Sequence, residues 1–543
     1  MELTRGEMLK LSLLGSAALM LPLERVARTR LKSADRLPKS RLPEPFKVPF
    51  AVPPVLAPVC TDGGTDYYEI KMMAARLPML PGLPPTEIWG YNGITPGPTI
   101  QVMQGRKTVI RQMNLLPDRH PVLGYESTTS VHLHGSGSLP QYDGYANDTT
   151  STGFFKDYHY PNNQNARTLW YHDHGVHHTD ENAYMGLAAQ YHLHDQNEIG
   201  LPIPHGYWEE SNPARPTGGG RPGKYDVPLV IKDAIFATDG SLIFDDQGHS
   251  SLMGDVVLTN GRPWPVMKVE RRKYRFRILN ASVSRGYDLA LSSGDPMTVI
   301  GHDGGLAPAP VDVGHFRVGM AERYEVVIDF AKYSVGQKVV LENRGLPNNA
   351  DFKSTRNIMR FDVVGEATDP SGNDVPEVLN PGGFSHDPMK LQESQAVDVH
   401  KLRLQRKNGQ WTIDGKIWDP NRVDHRCHLD EIDIWELTNK SGGWFHPLHI
   451  HLIDFRILDR NGRPPFPWER GPKDVAYIGE GETVRVLGQF GPNEGKYMVH
   501  CHNLTHEDHD MMTQFEVGAG GFDPIESARP KPISEAAPLC GTV

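Results

Sequence analysis

Residues 496–512 read KYMVHCHNLTHEDHDMM. A lone cysteine stands between two histidines, His506 and His509 follow, and paired methionines close the stretch. Successive side chains of a β-strand point to opposite faces. A strand through 500–502 therefore sends His500 and His502 one way and Cys501 the other. Upstream, 446-HPLHIH divides in the same manner: His449 and His451 share a parity that His446 does not, although Pro447 loosens the strand geometry there. Two strands of the final third each present imidazoles on one face and different donors on the reverse: His446, Cys501, then His506 and Met511 beyond the turn.

The H-x-H spacing recurs as 132-HLHG and 172-HDHG. Same-face neighbours on a strand lie about 6–7 Å apart. With metal–nitrogen bonds near ~2 Å, such a pair suits one metal or two metals about 3.5–4 Å apart. The four pairs His132/His134, His172/His174, His449/His451 and His500/His502 supply eight imidazoles, and a chain has little reason to gather them without metal. A cysteine, two histidines and a weakly held methionine are the donor set of a blue-copper electron-transfer site. Zinc prefers a closed set without thioether and fits less well. Only backbone separates Cys501 from His500 and His502, giving an electron that enters at the thiolate a short covalent route to the histidine cluster.

The rest of the chain agrees with a strand-built, turn-rich protein. Its 543 residues suffice for several domains. Gly 54 and Pro 45 make it richer in turn formers than average. Period-two segments at 107-KTVIRQMNLL, 274-YRFRILNAS, 323-RYEVVIDFA, 432-IDIWELTN and 483-TVRVLGQF predict half-buried strands. Three of these segments end in an asparagine where a turn should begin, Asn114, Asn280 and Asn439, which suggests one β-sandwich unit used three times. Composition places the units at 45–200, 226–366 and 396–520. Linkers are expected at 201–225 and 367–395, and a tail at 521–543. The net charge of −10 argues against a nucleic-acid binder. Four cysteines are too few for a disulfide scaffold, and one bridge among Cys60, Cys427 and Cys540 stays open as to pairing. The apolar run from about Leu11 to Leu23 is too short and interrupted for a membrane span. It is similar to a degenerate twin-arginine export signal within 1–25, with Gly6 where the second arginine belongs. Export to the periplasm, cell envelope or medium is expected, with cytoplasmic residence as the alternative.

Taken in order, H-x-H-G, H-x-H-G, H-P-x-H-x-H and H-C-H-x-x-x-H-x-x-x-x-M resemble the multicopper oxidase family of laccases and bilirubin oxidases. GWFHPLHIHLIDFRIL, GPKDVAYIG and HCHNLTHEDHDMM are most similar to bilirubin oxidases and spore-coat laccases. The resemblance implies an all-β chain of three cupredoxin-like Greek-key sandwiches holding four coppers. Type 1 copper would take His446, Cys501 and His506, with Met511 axial by family spacing and Met512 in the core. A methionine there suggests a moderate potential. Type 2 copper would take His132 and His449. The type 3 pair would take His134, His172, His174, His451, His500 and His502. Other histidines, including His177, His178, His192, His194 and His509, are read as supporting, surface or turn residues.

Reducing dioxygen consumes protons, so a carboxylate is expected near the cluster. The resemblance gives Asp143 that role, against the plain reading of Asp143-Gly144 as a turn. It puts Thr505 where spore-coat relatives carry a glutamate. Trp444 is either a contact for electron donors or packing. The implied activity is one-electron oxidation of phenolic, aminophenolic or tetrapyrrole donors coupled to reduction of O2 to water. The partners are thus small reducing molecules and O2, with no nucleic acid and no stable membrane insertion. The alternatives are a cuprous or other metal-ion oxidase in copper tolerance, usually marked by a methionine-rich insertion that is absent here, and a non-enzymatic copper carrier or store, which has no use for two kinds of site on one strand.

Overall fold

A computed structural model describes residues 35–205, 208–209, 212–216, 224–381, 384 and 386–540. The expected export signal at 1–25 lies outside them. No described helix is long and apolar enough to cross a membrane.

The chain is almost wholly strand, arranged as three cupredoxin-like domains of two packed sheets each. The repeat marked by the three asparagines has a structural counterpart. In each domain the asparagine-ended strand lies parallel to the first long strand: Lys107–Asn114 beside Thr65–Leu77, Lys273–Asn280 beside Asp226–Ala234, and Ile432–Asn439 beside Asp398–Lys407. On its other side each pairs antiparallel, with Phe154–Tyr160, Arg323–Asp329 and Thr483–Gln489 respectively.

The asparagines do the same work three times. Asn114 Nδ2 donates to the carbonyls of Ser127 and Thr150 while its Oδ1 accepts from the Leu116 N–H. Asn280 bonds Arg285, Val318 and Ser282 in the same sense, and Asn439 bonds Trp444, Gly479 and Ser441. All three are buried, so each side chain satisfies backbone groups that a turn leaves open away from water.

Ile432–Asn439 and Thr483–Gln489 are partly buried as expected, but for the other three segments the expectation of half-buried strands is corrected. Lys107–Asn114 and Lys273–Asn280 are buried at nearly every position, including the polar ones. Domains cover one another's outer faces, and the polar residues of the alternation become buried ion pairs. Arg277 bonds Asp226, Glu325 and, from the first domain, Glu198. Alternation reveals the period of a strand, not what covers its polar face.

Two segments read as connections are tied down. Leu379, within 367–395, is buried with Ile203 and Ile300. From the stretch read as a tail, Lys531–Pro532 pairs with Phe154–Phe155 of the first domain, and Cys540 bridges Cys60.

Candidate metal centres

The sheet that decides the chemistry comprises His425–Cys427, His446–Ile450, Val475–Ile478, Gly495–Cys501 and Met512–Val517. Leu448 pairs with Cys501 and His449 with His500, so the two histidine-bearing strands lie side by side. Their faces separate two donor sets.

On one face, His446 Nδ1 lies 3.3 Å from Cys501 Sγ, His506 Nδ1 3.7 Å from the same sulfur, and the two nitrogens 3.2 Å apart. These three atoms form a triangle with room for one ion bonded to all. The far nitrogen of each ring is held: His446 Nε2 by the Ser441 hydroxyl at 2.6 Å, and His506 Nε2 by the Ser250 carbonyl at 2.9 Å. Such outer contacts fix which nitrogen faces a metal. Burial pushes the Cys501 thiol up and both imidazoles down, His446 to about 3. A thiolate at this position therefore needs a cation beside it. Met511 is buried next to them, its carbonyl accepting from the Cys501 N–H and its N–H donating to the His506 carbonyl. Met512 packs instead with Tyr145, Ala146 and Met498.

Trp411 is closest to this triangle in a way the sequence did not signal. Its ring centroid lies 3.8 Å from that of His506, and its indole N–H donates to the His249 carbonyl. Trp444 sits edge-on outside both and is partly exposed.

On the other face, eight imidazoles meet, each at most 1% exposed. Val131–His134 carries His132 and His134, and Arg167–Asp173 carries His172 with His174 just beyond its end, His132 lying opposite His172. His132 stacks on His451 at 4.0 Å and His134 on His449 at 3.7 Å, joining the first domain to the third. The six type 3 candidates divide into two trios. In one, His174, His451 and His500 have His500 Nε2 3.1 Å from Nε2 of each of the others. In the other, the rings of His134, His172 and His502 lie 5.1–5.7 Å apart.

The rings are oriented from outside. The Asp143 carbonyl accepts from His132 Nδ1, the Asp173 carbonyl from His172 Nδ1, and the Asp474 carbonyl from His449 Nδ1. Nε2 of His132, His172 and His449 is then left without a partner, as are His134 Nδ1 and both nitrogens of His502. A buried polar atom without a partner costs about 1–3 kcal/mol. Burial depresses all eight pKa values, which keeps the rings neutral and able to ligate. Neutral, inward-facing, unpartnered imidazoles beside a thiol with two imidazoles are a donor set that fits copper.

Two glycines of the motifs have steric reasons. A Cβ on Gly135 would sit 2.7 Å from Arg323 Nη2 and Asp474 Oδ2, and one on Gly144 would meet the His132 backbone at 2.6 Å.

Asp143 caps the short helix Pro140–Tyr142, and its Oδ2 accepts from His451 Nδ1 at 2.7 Å. Its Oδ1 has no hydrogen-bond partner, and burial raises the carboxyl well above the usual range. A threonine at 505 leaves a second acid near the cluster in doubt from sequence, and the structure supplies one from another position. The helical turn Leu504–Glu507 points the Thr505 hydroxyl at Ser284, 3.4 Å away, and brings Glu507 to the cluster. Glu507 Oε2 lies 2.8 Å from His500 Nδ1 and Oε1 3.3 Å from His174 Nε2, with burial pushing its carboxyl up to about 8. Its place directly after His506 carries no local signal of this.

Asp474 and Arg323 were also missed. Arg323, from the histidine-poor second domain, holds Asp474 through both guanidinium ends, at 2.7 and 2.5 Å, and donates to the Thr168 carbonyl of the first domain. Asp474 Oδ1 in turn lies 3.1 Å from His134 Nε2. All three domains meet at this clamp.

Comparison with known proteins agrees with the geometry. Multicopper oxidase family models match residues 77–198, 234–358 and 391–521. The chain is 39% identical over 493 residues to a bilirubin oxidase of Albifimbria verrucaria, covering 87% of this chain and 81% of that one. It is 33% identical over 533 residues to a laccase of Bacillus subtilis strain 168, covering 87% and 98%. A laccase crystal structure from Pediococcus acidilactici superposes with a TM-score of 0.75 at 30% identity, covering 88% of this chain and 95% of that one.

Proposed function

This chain belongs to the multicopper oxidase family and is an oxygen-using oxidase, and we propose that it withdraws single electrons from phenolic, aminophenolic or bilirubin-like donors and delivers them to dioxygen. His446, Cys501 and His506, with Met511 beside them, would hold type 1 copper; His132 and His449 type 2; His134, His172 and His502 one type 3 ion, and His174, His451 and His500 the other. Copper bound there supplies one-electron redox chemistry at the first centre and four-electron reduction of O2 to water at the trio.

One observation carries the reading: the backbone of 500–502 turns a thiol toward one imidazole pair and its two flanking imidazoles into the eight-histidine cavity. The chain's own residues then have separable tasks. Cys501 and the adjoining peptides link the centres covalently. Asp143 and Glu507, each touching two cluster imidazoles, hold protons where water is made. Ser441 and Ser250 aim the type 1 imidazoles. Trp444, outermost around that centre, is where a planar aromatic donor would pack. Export is supported by the Cys60–Cys540 bridge, since disulfides persist in oxidising compartments.

Oxygen uptake with bilirubin, a methoxyphenol, an aminophenol and Cu(I) tests the reading. Uptake with the organic donors is expected. Uptake with Cu(I) alone would make the protein a metal-ion oxidase, and copper binding without uptake a carrier.

A further inference from the structure

Cys427 is the fourth cysteine and the one with no task so far. Cys60 and Cys540 are bridged, and Cys501 faces His446 and His506. Cys427 is not isolated. It lies on His425–Cys427, an edge strand of the Cys501 sheet, and faces His400 and Asp433 from the other sheet of the same domain. Its Sγ is 3.6 Å from His400 Nε2, and that nitrogen is 3.3 Å from Asp433 Oδ2. His425, two residues before Cys427, has the same parity, and its ring centroid lies 5.5 Å from that of His400. Arg426, between them, turns outward to Glu516.

These separations are those of donors around one tetrahedral ion. With metal–sulfur near ~2.3 Å and metal–nitrogen or –oxygen near ~2.0–2.1 Å, tetrahedral angles separate N from S by about 3.6 Å and N from O by about 3.3 Å. The Cys427 thiol also hydrogen-bonds Asp433, so the three donors face one another pairwise around a single point that a cation could occupy. Cys427 is 3% exposed, His400 8% and Asp433 0%, while partly exposed His425 offers a way in.

Charge points the same way. Burial first, then the charge and hydrogen bond of Asp433 and the charges of Glu431 and Asp398, push the thiol's pKa up, so it would ionise only beside a cation. A thiolate and a carboxylate together balance a divalent ion. The place is distinct from the copper centres. His500 pairs with Met512 and Cys427 with Val517, so the two sites are separated by five residues of one strand, roughly 17 Å.

We propose that Cys427, His400 and Asp433, completed by His425, bind a thiophilic divalent cation of the zinc class that clips together the two sheets of the third domain. The ion has no part in electron transfer. It stabilises the sandwich whose other end carries Cys501, because an ion held only by the folded state adds its binding energy to folding.

The full-length Cys501→Ser protein, with Cys427 as its one free thiol, isolates the site. Added Co2+ is expected to give a thiolate-to-cobalt charge-transfer band that saturates at one equivalent per chain. The band should be missing from Cys501→Ser/Cys427→Ser and weakened at least tenfold in apparent affinity in Cys501→Ser/His400→Gln. The second variant decides the matter should loss of the cysteine impair folding. In the otherwise native protein, Zn2+ should raise Tm, and Cys427→Ser should abolish that rise. No band in Cys501→Ser, or a Zn2+ shift that persists without Cys427, would overturn the proposal, as would Cu+ binding there in preference to Zn2+.

Discussion

Asp143 and Glu507 illustrate how much a single position can hide. Asp143 is singled out in the sequence only by the family resemblance, against its plainer reading as a turn residue. Glu507 is not singled out at all, because its position next to His506 gives no hint that one helical turn swings it back onto His500 and His174. Both are buried carboxyls raised by desolvation and aimed at cluster imidazoles. A proton donor in such a place contributes about 10²–10⁴-fold. Asp143→Asn and Glu507→Gln are each expected to lower kcat about a hundredfold, with copper content and the visible thiolate–copper band unchanged. Steady-state oxygen uptake alongside metal analysis checks this, and loss of copper in either variant would assign the residue to holding imidazoles rather than protons.

Strand parity made the separation of the cysteine from its flanking histidines readable, since a period of two leaves no third direction for Cys501. Turn chemistry was less legible. The three strand-ending asparagines stood out as a repeat, but their shared parallel pairing with the first strand of each domain is a long-range property that local sequence does not encode. In the third domain the device reaches the proposed type 1 centre: Asn439 receives the Ser441 N–H, and the Ser441 hydroxyl meets His446 Nε2. Asn439→Ala is expected to cost about 2–3 kcal/mol, from buried carbonyls left unpaired, and also to shift the visible absorption or potential of the type 1 centre. Asn114→Ala and Asn280→Ala should cost a similar stability with no spectral change. Denaturant midpoints and absorption spectra of the three variants make the comparison.

At the level of the whole molecule, the histidine motifs announced which thirds of the chain would meet, yet nothing announced what holds them together. The polar residues of strands that alternate toward solvent in isolation become interdomain ion pairs, and the second domain, poor in histidines, supplies Arg323 to Asp474 behind His134 and His449. Arg323→Met leaves a buried carboxylate unpaired and is expected to destabilise by about 3–5 kcal/mol. Calorimetry should show that loss together with depletion of copper from the trio, while type 1 copper, whose donors the clamp does not touch, is retained. The central claim is that one strand separates an electron inlet from an oxygen-reducing trio built by two domains. Copper content per chain, measured with the visible thiolate–copper band for Cys501→Ser beside the native protein, tests it most directly. The expected result is a fall from four coppers to three with the band and donor turnover both lost; retention of turnover, or collapse of the whole copper complement, would contradict it.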